Sequence, residues 1–314
     1  MSIERASTAG QSQFLLSQVQ TAALNLGKTQ AQVASGMVSS DYAGLGDKVA
    51  ILEAARTAAG KADAYQASTA MAVNQADLQD SQLSSLSDLA NQLRQAITTS
   101  VANGDGTTLM ATAQGIFDQV SQILNTKDAN GNYLYGGDKD NTPPFNVGSL
   151  SALAALPSVA AGFANGTQKK SVMVGDGQSV QLGVLASDIG SGLMQTLKDL
   201  ATFNASGAGP FAAGANLSQA QSTFLTAEMP TAIAAATGVN ASAAANGFVY
   251  NQLKDAAGHQ SSLSTLYKTF VSNIEEVDMP TAITQLNQNQ VALQAALQVT
   301  SQLNQISLLN YLPR

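Results

Sequence analysis

The sequence predicts a mainly α-helical, elongated protein, a hairpin of long terminal and central helices with one small β-containing region in mid-chain. Three observations predict it. Apolar or small residues recur at alternating steps of four and three near both ends of the chain. The composition is 45% hydrophobic but only 5% aromatic, and a chain rich in Ala, Leu and Gln lacks the bulk for a large globular core while suiting long, closely packed helices. Finally, a stretch punctuated by Gly, Asn, Asp and Pro interrupts the helical pattern and carries the one convincing strand signal.

The first element is a helix whose seam runs through Leu15, Val19, Ala22, Leu26, Thr29 and Val33. Ala22 and Thr29 stand where a self-sufficient coiled coil carries Leu or Ile, so the helix needs a partner. A linker rich in Gly and Ser follows over residues 35–46. A second, long helical region spans residues 47–103, with Leu86, Leu89, Leu93, Ile97 and Val101 on one face. Asn103-Gly104-Asp105-Gly106 marks a turn, after which Leu109, Ile116, Phe117, Val120, Ile123 and Leu124 resume a helix, making a helical hairpin.

Between residues 128 and 192 the character changes. Lys170-Ser171-Val172-Met173-Val174, a Gly175-Asp176-Gly177-Gln178 turn and Ser179-Val180-Gln181-Leu182-Gly183-Val184 read as a β-hairpin. Helical patterns return over 193–203, 217–236 and 248–276. After Asp278-Met279-Pro280, where Asp caps and Pro is tolerated in a first turn, Ile283, Leu286, Leu293 and Leu297 define a last seam, interrupted by Gln290, Thr300 and Asn304. The expected organisation is an N-terminal helix and linker over 1–42, the first part of a helical region over 43–128, a β-containing outer region over 129–192, the second part of the helical region over 193–277, and a C-terminal helix over 278–314.

The same residues exclude several chemistries. Without Cys there is no disulfide framework, thiolate nucleophile or Cys-based metal site, and one His builds no His-rich centre. A net charge of −7 leaves no basic stripe for a phosphate backbone, which argues against nucleic acid. No apolar run reaches the length of a membrane span. The N-terminus has an early Glu4 and no apolar h-region, so it does not read as a secretory leader. Asp128-Ala129-Asn130-Gly131-Asn132 fails as a calcium loop, because its Gly falls at the fourth position and Lys139 stands in place of the bidentate Glu. No phosphate loop and no catalytic constellation is present, so neither an enzyme nor a bound cofactor is expected.

Two sets of residues resemble the bacterial flagellin family. Val33-Ala34-Ser35-Gly36-Met37 resembles the element that closes the family's first helix. Ile274-Glu275-Glu276-Val277-Asp278-Met279-Pro280-Thr281-Ala282, with Gln288-Asn289-Gln290, Leu293-Gln294-Ala295 and Ser307-Leu308-Leu309, resembles its C-terminal signature. Pro280 departs from it, standing where the family commonly has Ala. The resemblance covers about the first 125 and the last 70 residues. Within the family, Asn130-Gly131-Asn132-Tyr133-Leu134-Tyr135-Gly136-Gly137 with Thr142-Pro143-Pro144-Phe145, and the ending Leu308-Leu309-Asn310-Tyr311-Leu312, are similar to the branch of proteins that join hook to filament.

The resemblance implies a structural subunit of the extracellular flagellum, exported unfolded by the type III route without a cleaved signal peptide, with no enzymatic activity. The expected assembly interface comprises Leu15, Val19, Ala22, Leu26 and Val33 with Leu286, Leu293, Leu297, Leu308 and Leu309. The partners implied are copies of the chain, neighbouring hook-associated proteins and flagellin, and an export chaperone, with no nucleic acid and no membrane insertion. The alternatives are a filament-forming flagellin and a surface adhesin or carbohydrate binder, the latter resting on Tyr133, Tyr135 and Phe145 as aromatic platforms.

Overall fold

The structure, a computed structural model, describes residues 2–212 and 216–309, with side chains described over 10–212 and 216–302. Seven α-helices and one antiparallel two-stranded sheet are formed among them: α1 Ser2–Ser35, α2 Val49–Asn103, α3 Leu109–Leu124, α4 Leu150–Ala155, β1 Lys170–Gly175, β2 Gln178–Leu182, α5 Ala186–Asn204, α6 Gln219–Glu275 and α7 Met279–Leu309. No helix of the described residues is long and apolar enough to cross a membrane. Two compact units divide the chain, residues 1–61 with 263–314, and residues 62–262.

In the first unit α1 packs against α7. Gly36, at a φ of +73°, ends α1 in a conformation that costs Gly little and other residues much. The chain leaving α1 then pairs with the chain entering α7. Met37 and Glu276 form an antiparallel bridge, Val38 N donates to the Glu275 carbonyl at 2.7 Å, and Val277 N donates to the Gly36 carbonyl at 2.9 Å. Gln32 supports this clasp by donating from Nε2 to the Val38 carbonyl at 2.8 Å. Beyond a 3₁₀ turn at Ala43–Lys48, Arg56 of α2 binds Tyr42 Oη at 3.1 Å, Glu53 at 3.2 Å and the carboxylate of Glu275.

The second unit is built on an apolar core to which five helices contribute, α4 through Leu150 and Leu153. Leu83, Leu86, Leu93 and Ile97 of α2 meet Ile116, Phe117, Val120 and Leu124 of α3, Leu193, Leu197 and Leu200 of α5, and Leu225 and Val239 of α6. Side-chain bonds from Ser87 to Asn240 at 2.7 Å and from Asn246 to the Ala76 carbonyl at 2.8 Å show that α2 and α6 run antiparallel. Small residues let the helices approach: a Cβ on Gly192 of α5 would lie 3.2 Å from the Ala235 Cα of α6. Glu228 of α6 is buried in this unit, and burial first, then the charge of Asp199, pushes its carboxyl up to about 7.

The hairpin forms where the alternating pattern predicts it. β1 and β2 pair from Lys170 opposite Leu182, with an irregularity between Met173 and Gly175, and Gly177 turns the chain at a φ of +69°. Its inward residues Val174, Val180 and Leu182 pack on Ala72 and Ala76 of α2 and Leu253 of α6 as a second small core.

Two expectations are corrected. The patterns over 217–236 and 248–276 belong to one helix: residues 237–247 carry two Gly and two Asn and little intrinsic propensity, and tertiary packing holds them helical, with Val239 and Asn246 buried and Asn240 and Asn246 bonded to α2. That helix runs through Pro230, whose missing N–H leaves the Thr226 carbonyl without its helical donor. Helix α5 starts at Ala186, seven residues before the predicted 193. Ordered structure in the middle region also exceeds the hairpin, since Ser149 caps α4 by accepting from Ala152 N at 3.1 Å.

Candidate assembly surface

The candidate surface belongs to the α1/α7 pair, and the local sequence sets which side chains meet there. Along α1, Leu15, Val19, Ala22, Leu26 and Val33 are all half-buried and Thr29 is buried, so every predicted seam position faces inward. Along α7 the inward positions are Ala282, Leu286, Asn289, Leu293, Ala296 and Thr300, again at alternating steps of four and three.

This corrects the predicted C-terminal seam. Leu286 and Leu293 lie on it, whereas Ile283 is 45% and Leu297 51% exposed, one residue beyond the inward positions Ala282 and Ala296. Thr300, expected to interrupt the seam, occupies it. The small and polar residues that carry the seam are those that a search for large apolar side chains passes over. Leu308 and Leu309 fall within α7, but their side chains lie outside the described residues, as do residues 310–312.

A polar pair crosses the middle of the seam. Asn289 Nδ2 reaches Thr29 Oγ1 at 3.3 Å and the Asn25 carbonyl at 3.4 Å, while Thr29 Oγ1 donates to the Asn25 carbonyl at 3.0 Å. A cleft of about 310 Å³ beside it is lined by Lys28, Gln32, Gln285 and Gln288 as well as this pair. Polar residues at single seam positions cost stability but select one register.

A second apolar set points away from the seam. Phe14, Leu16 and Leu24 of α1 are exposed, Leu24 at 75%, as are Ile283, Val291, Leu297 and Val299 of α7. Large apolar side chains repeated along both helices with no intramolecular cover mark a surface suited to protein contact.

The aromatic residues considered for sugar binding are placed otherwise. Tyr135 and Phe145 are core residues, and Phe145 packs on Phe117 and Phe163 with ring centroids 6.1 and 5.1 Å apart. Tyr133 is half-buried, with the Lys127 ammonium 4.8 Å from its ring centre. The Asp128 carboxylate accepts from the backbone N–H groups of Asn130 and Asn132 at 2.8 and 3.0 Å, closing a turn. Among the described residues, no group of three or more His, Cys, Asp or Glu side chains is placed to hold a metal.

Residues 230–312 match the family described as the bacterial flagellin C-terminal helical region. No curated protein matches the chain in sequence. Among solved structures, one from Vibrio parahaemolyticus, described as a flagellar hook-associated protein, is 16% identical, with a TM-score of 0.59 over 75% of this chain and 99% of its own. Bacillus cereus FlgL is 14% identical over 67% of this chain and 98% of its own, at a TM-score of 0.36. The first of these shows the fold, a flagellin-like mainly α architecture with a small two-stranded sheet.

Proposed function

We propose that this protein is a structural subunit of the bacterial flagellum that acts outside the cell at the hook–filament junction and assembles through α1 and α7. The observation that carries this reading is the α1/α7 pair itself, a heptad seam too small and polar to be self-sufficient, flanked by exposed apolar residues on both helices. Support comes from the flagellin C-terminal match over residues 230–312, which includes all of α7. In this reading Leu15, Val19, Ala22, Leu26 and Val33 pack with Leu286 and Leu293 inside one subunit. Leu297, exposed here, contacts neighbours, and Leu308 and Leu309 join the same interface. The subunit contacts its own copies, flagellin and hook-associated proteins, and is escorted to export by a chaperone.

The assignment to the junction, as opposed to the filament, rests on the Asn130–Phe145 motif resemblance, and electron microscopy tests it. Purified protein is to be observed after addition of a precipitating salt, and again with hook fragments as seeds. Short caps confined to hook ends support the junction role, whereas long tubes growing from this protein alone identify a filament flagellin. Leu26→Asp and Leu293→Asp abolish assembly on the seeds while the circular dichroism of the second unit persists. Normal assembly of either variant removes the terminal pair from the mechanism.

A further inference from the structure

Charge is almost absent from the α1/α7 pair. Helix α7 carries no Asp, Glu, Lys or Arg, and α1 carries only Glu4 and Arg5 in its first turn and Lys28 near its other end. Lys28 is exposed and makes no ion pair or hydrogen bond among the described residues. It stands at the polar cleft of about 310 Å³ beside Thr29 and Asn289. Two amides there are engaged within the pair: Gln32 Nε2 donates to the Val38 carbonyl at 2.8 Å, and Asn289 Nδ2 reaches Thr29 and the Asn25 carbonyl. Gln285 and Gln288, both exposed, are not engaged. Lys28 and these two amides therefore offer one ammonium and two free NH₂ groups, and no carboxylate among the described residues lines the cleft. An ionised carboxylate only accepts, at two oxygens with about four lone-pair sites, so it complements that donor set.

Carboxylates gather at the clasp. Those of the first unit with described side chains are Asp41, Asp47, Glu53, Glu275, Glu276 and Asp278. Four are engaged: Asp41 accepts from Gly44 N at 2.9 Å, Glu53 and Glu275 bind Arg56, and Asp278 accepts from Thr281. Asp47 directly precedes Lys48, whose charge offsets it. Glu276 is left, with an exposed side chain on a backbone fixed by the bridge to Met37. Within one subunit it does not meet Lys28, which lies seven residues, about 10 Å of helical rise, before the end of α1.

We propose that the Lys28 cleft is the docking site for the Glu276 carboxylate of a second copy of this chain. The inference rests on the reading of α1 and α7 as an assembly surface, and it holds whether the copies form a ring or a tube. Lys28 Nζ pairs with the carboxylate, and Gln285 and Gln288 donate to its oxygens. Covering Lys28 with an uncharged surface would strip its water without supplying a counter-charge. Beyond the first turn of α1 the two helices hold no other charge. This ion pair therefore fixes how far one copy is shifted along the next, which the apolar side chains of Leu24, Val291 and Leu297 leave open.

Charge reversal tests this on the full chain, assembled on hook fragments and followed by sedimentation. Lys28→Glu and Glu276→Lys each raise the concentration needed for half-maximal assembly about tenfold, and the double variant, with the pair reversed, returns it to near the unaltered value. Both side chains are exposed, so the thermal melts of the unassembled variants match that of the unaltered protein. Carbodiimide coupling of assemblies mixed from isotope-labelled and unlabelled chains joins Lys28 of one copy to Glu276 of another, as read by mass spectrometry. Failure of the double variant to recover overturns the proposal, as does a cross-link from Lys28 to Asp47 in place of Glu276. An effect of Lys28→Glu that Glu276→Lys does not share also overturns it, assigning the cleft to a dissolved anion. Loss of assembly in Leu26→Asp with none in Lys28→Glu removes this contact and leaves the terminal-pair mechanism standing, whereas failure of the unaltered chain to assemble removes both.

Discussion

Along the α1/α7 pair the inward positions hold Ala, Thr and Asn beside Leu and Val, and among the described α1 side chains Thr29 alone is fully buried. Along α2 the inward positions Leu83, Leu86, Leu93 and Ile97 have no exposed surface at all. Both patterns follow helical periodicity, so the difference lies in what surrounds each face. Two helices cover only one stripe of each other, whereas α2 in the second unit is packed by residues of α3, α5 and α6. At roughly 25 cal/mol per Å² of apolar surface removed from water, a half-covered Leu supplies about half of what a buried one does. Stability in the second unit is internal, and the terminal pair gains most from whatever covers Phe14, Leu24, Val291 and Leu297.

The strongest way to break this contrast is to remove bulk from the better-packed region. Phe117→Ala deletes a ring packed on Phe145 and buried by α3 and its neighbours. It lowers unfolding free energy by about 3–5 kcal/mol, measured by urea titration, while Leu26→Ala in the unassembled protein costs less than about 1 kcal/mol. Equal losses from the two would refute the contrast.

A smaller effect concerns charge in the same core. Unfolded Glu228 releases its proton near the usual 4.5, but the folded group holds it to about 7. Below the lower value both states are protonated and stability is complete. As pH rises through this window the unfolded state loses its proton first, so stability falls, and the loss is complete above the folded value. Glu228→Gln therefore stabilises on the order of 2 kcal/mol at pH 8 and leaves stability at pH 4 little changed. Thermal melts at the two pH values check it, and an equal shift at both would assign the gain to packing.

The smallest expected effect sharpens the description of the seam. Thr29→Val with Asn289→Leu replaces the polar crossing by apolar contact, raising the melting of the terminal pair by under about 1 kcal/mol. Register becomes less defined, which disulfide trapping between Cys pairs placed on α1 and α7 in shifted registers detects. A single trapped register in the double variant would show that the polar pair does not select it.

How much of this was legible in sequence follows from the same contrast. The α1 seam was readable because Leu15, Val19, Leu26 and Val33 fall inward at steps of four, seven and seven, although Phe14, Leu16 and Leu24 lie outside it. On α7 large residues lie on both sides, and the seam runs through Ala282, Asn289, Ala296 and Thr300, so apolar periodicity drew in Ile283 and Leu297. In the second unit the Leu spacing of α2 marked its buried face, and the hairpin announced itself through two short Val-containing runs around a Gly turn. The continuity of α6 did not show, because residues 237–247, with two Gly and two Asn, have neither pattern nor strong propensity and are held helical by tertiary packing. Nor did the packing of Phe145 on Phe117 and Phe163, since it joins residues distant in sequence that only tertiary packing brings together.

The bridge between Met37 and Glu276 also changes the topology of the polypeptide. Everything from α2 to α6 becomes a loop closed at its base by two backbone hydrogen bonds and steadied by Gln32 and Arg56. Closing so long a loop adds little entropic cost per extra residue, so segments inserted into its interior leave the closure almost undisturbed. A protease cut within residues 129–192 would likewise leave two fragments still held at the clasp and along the seam. The chain is thus tolerant of length change far from its ends and intolerant of it between Ser35 and Val38, where one added residue would shift Val38 away from the Glu275 carbonyl.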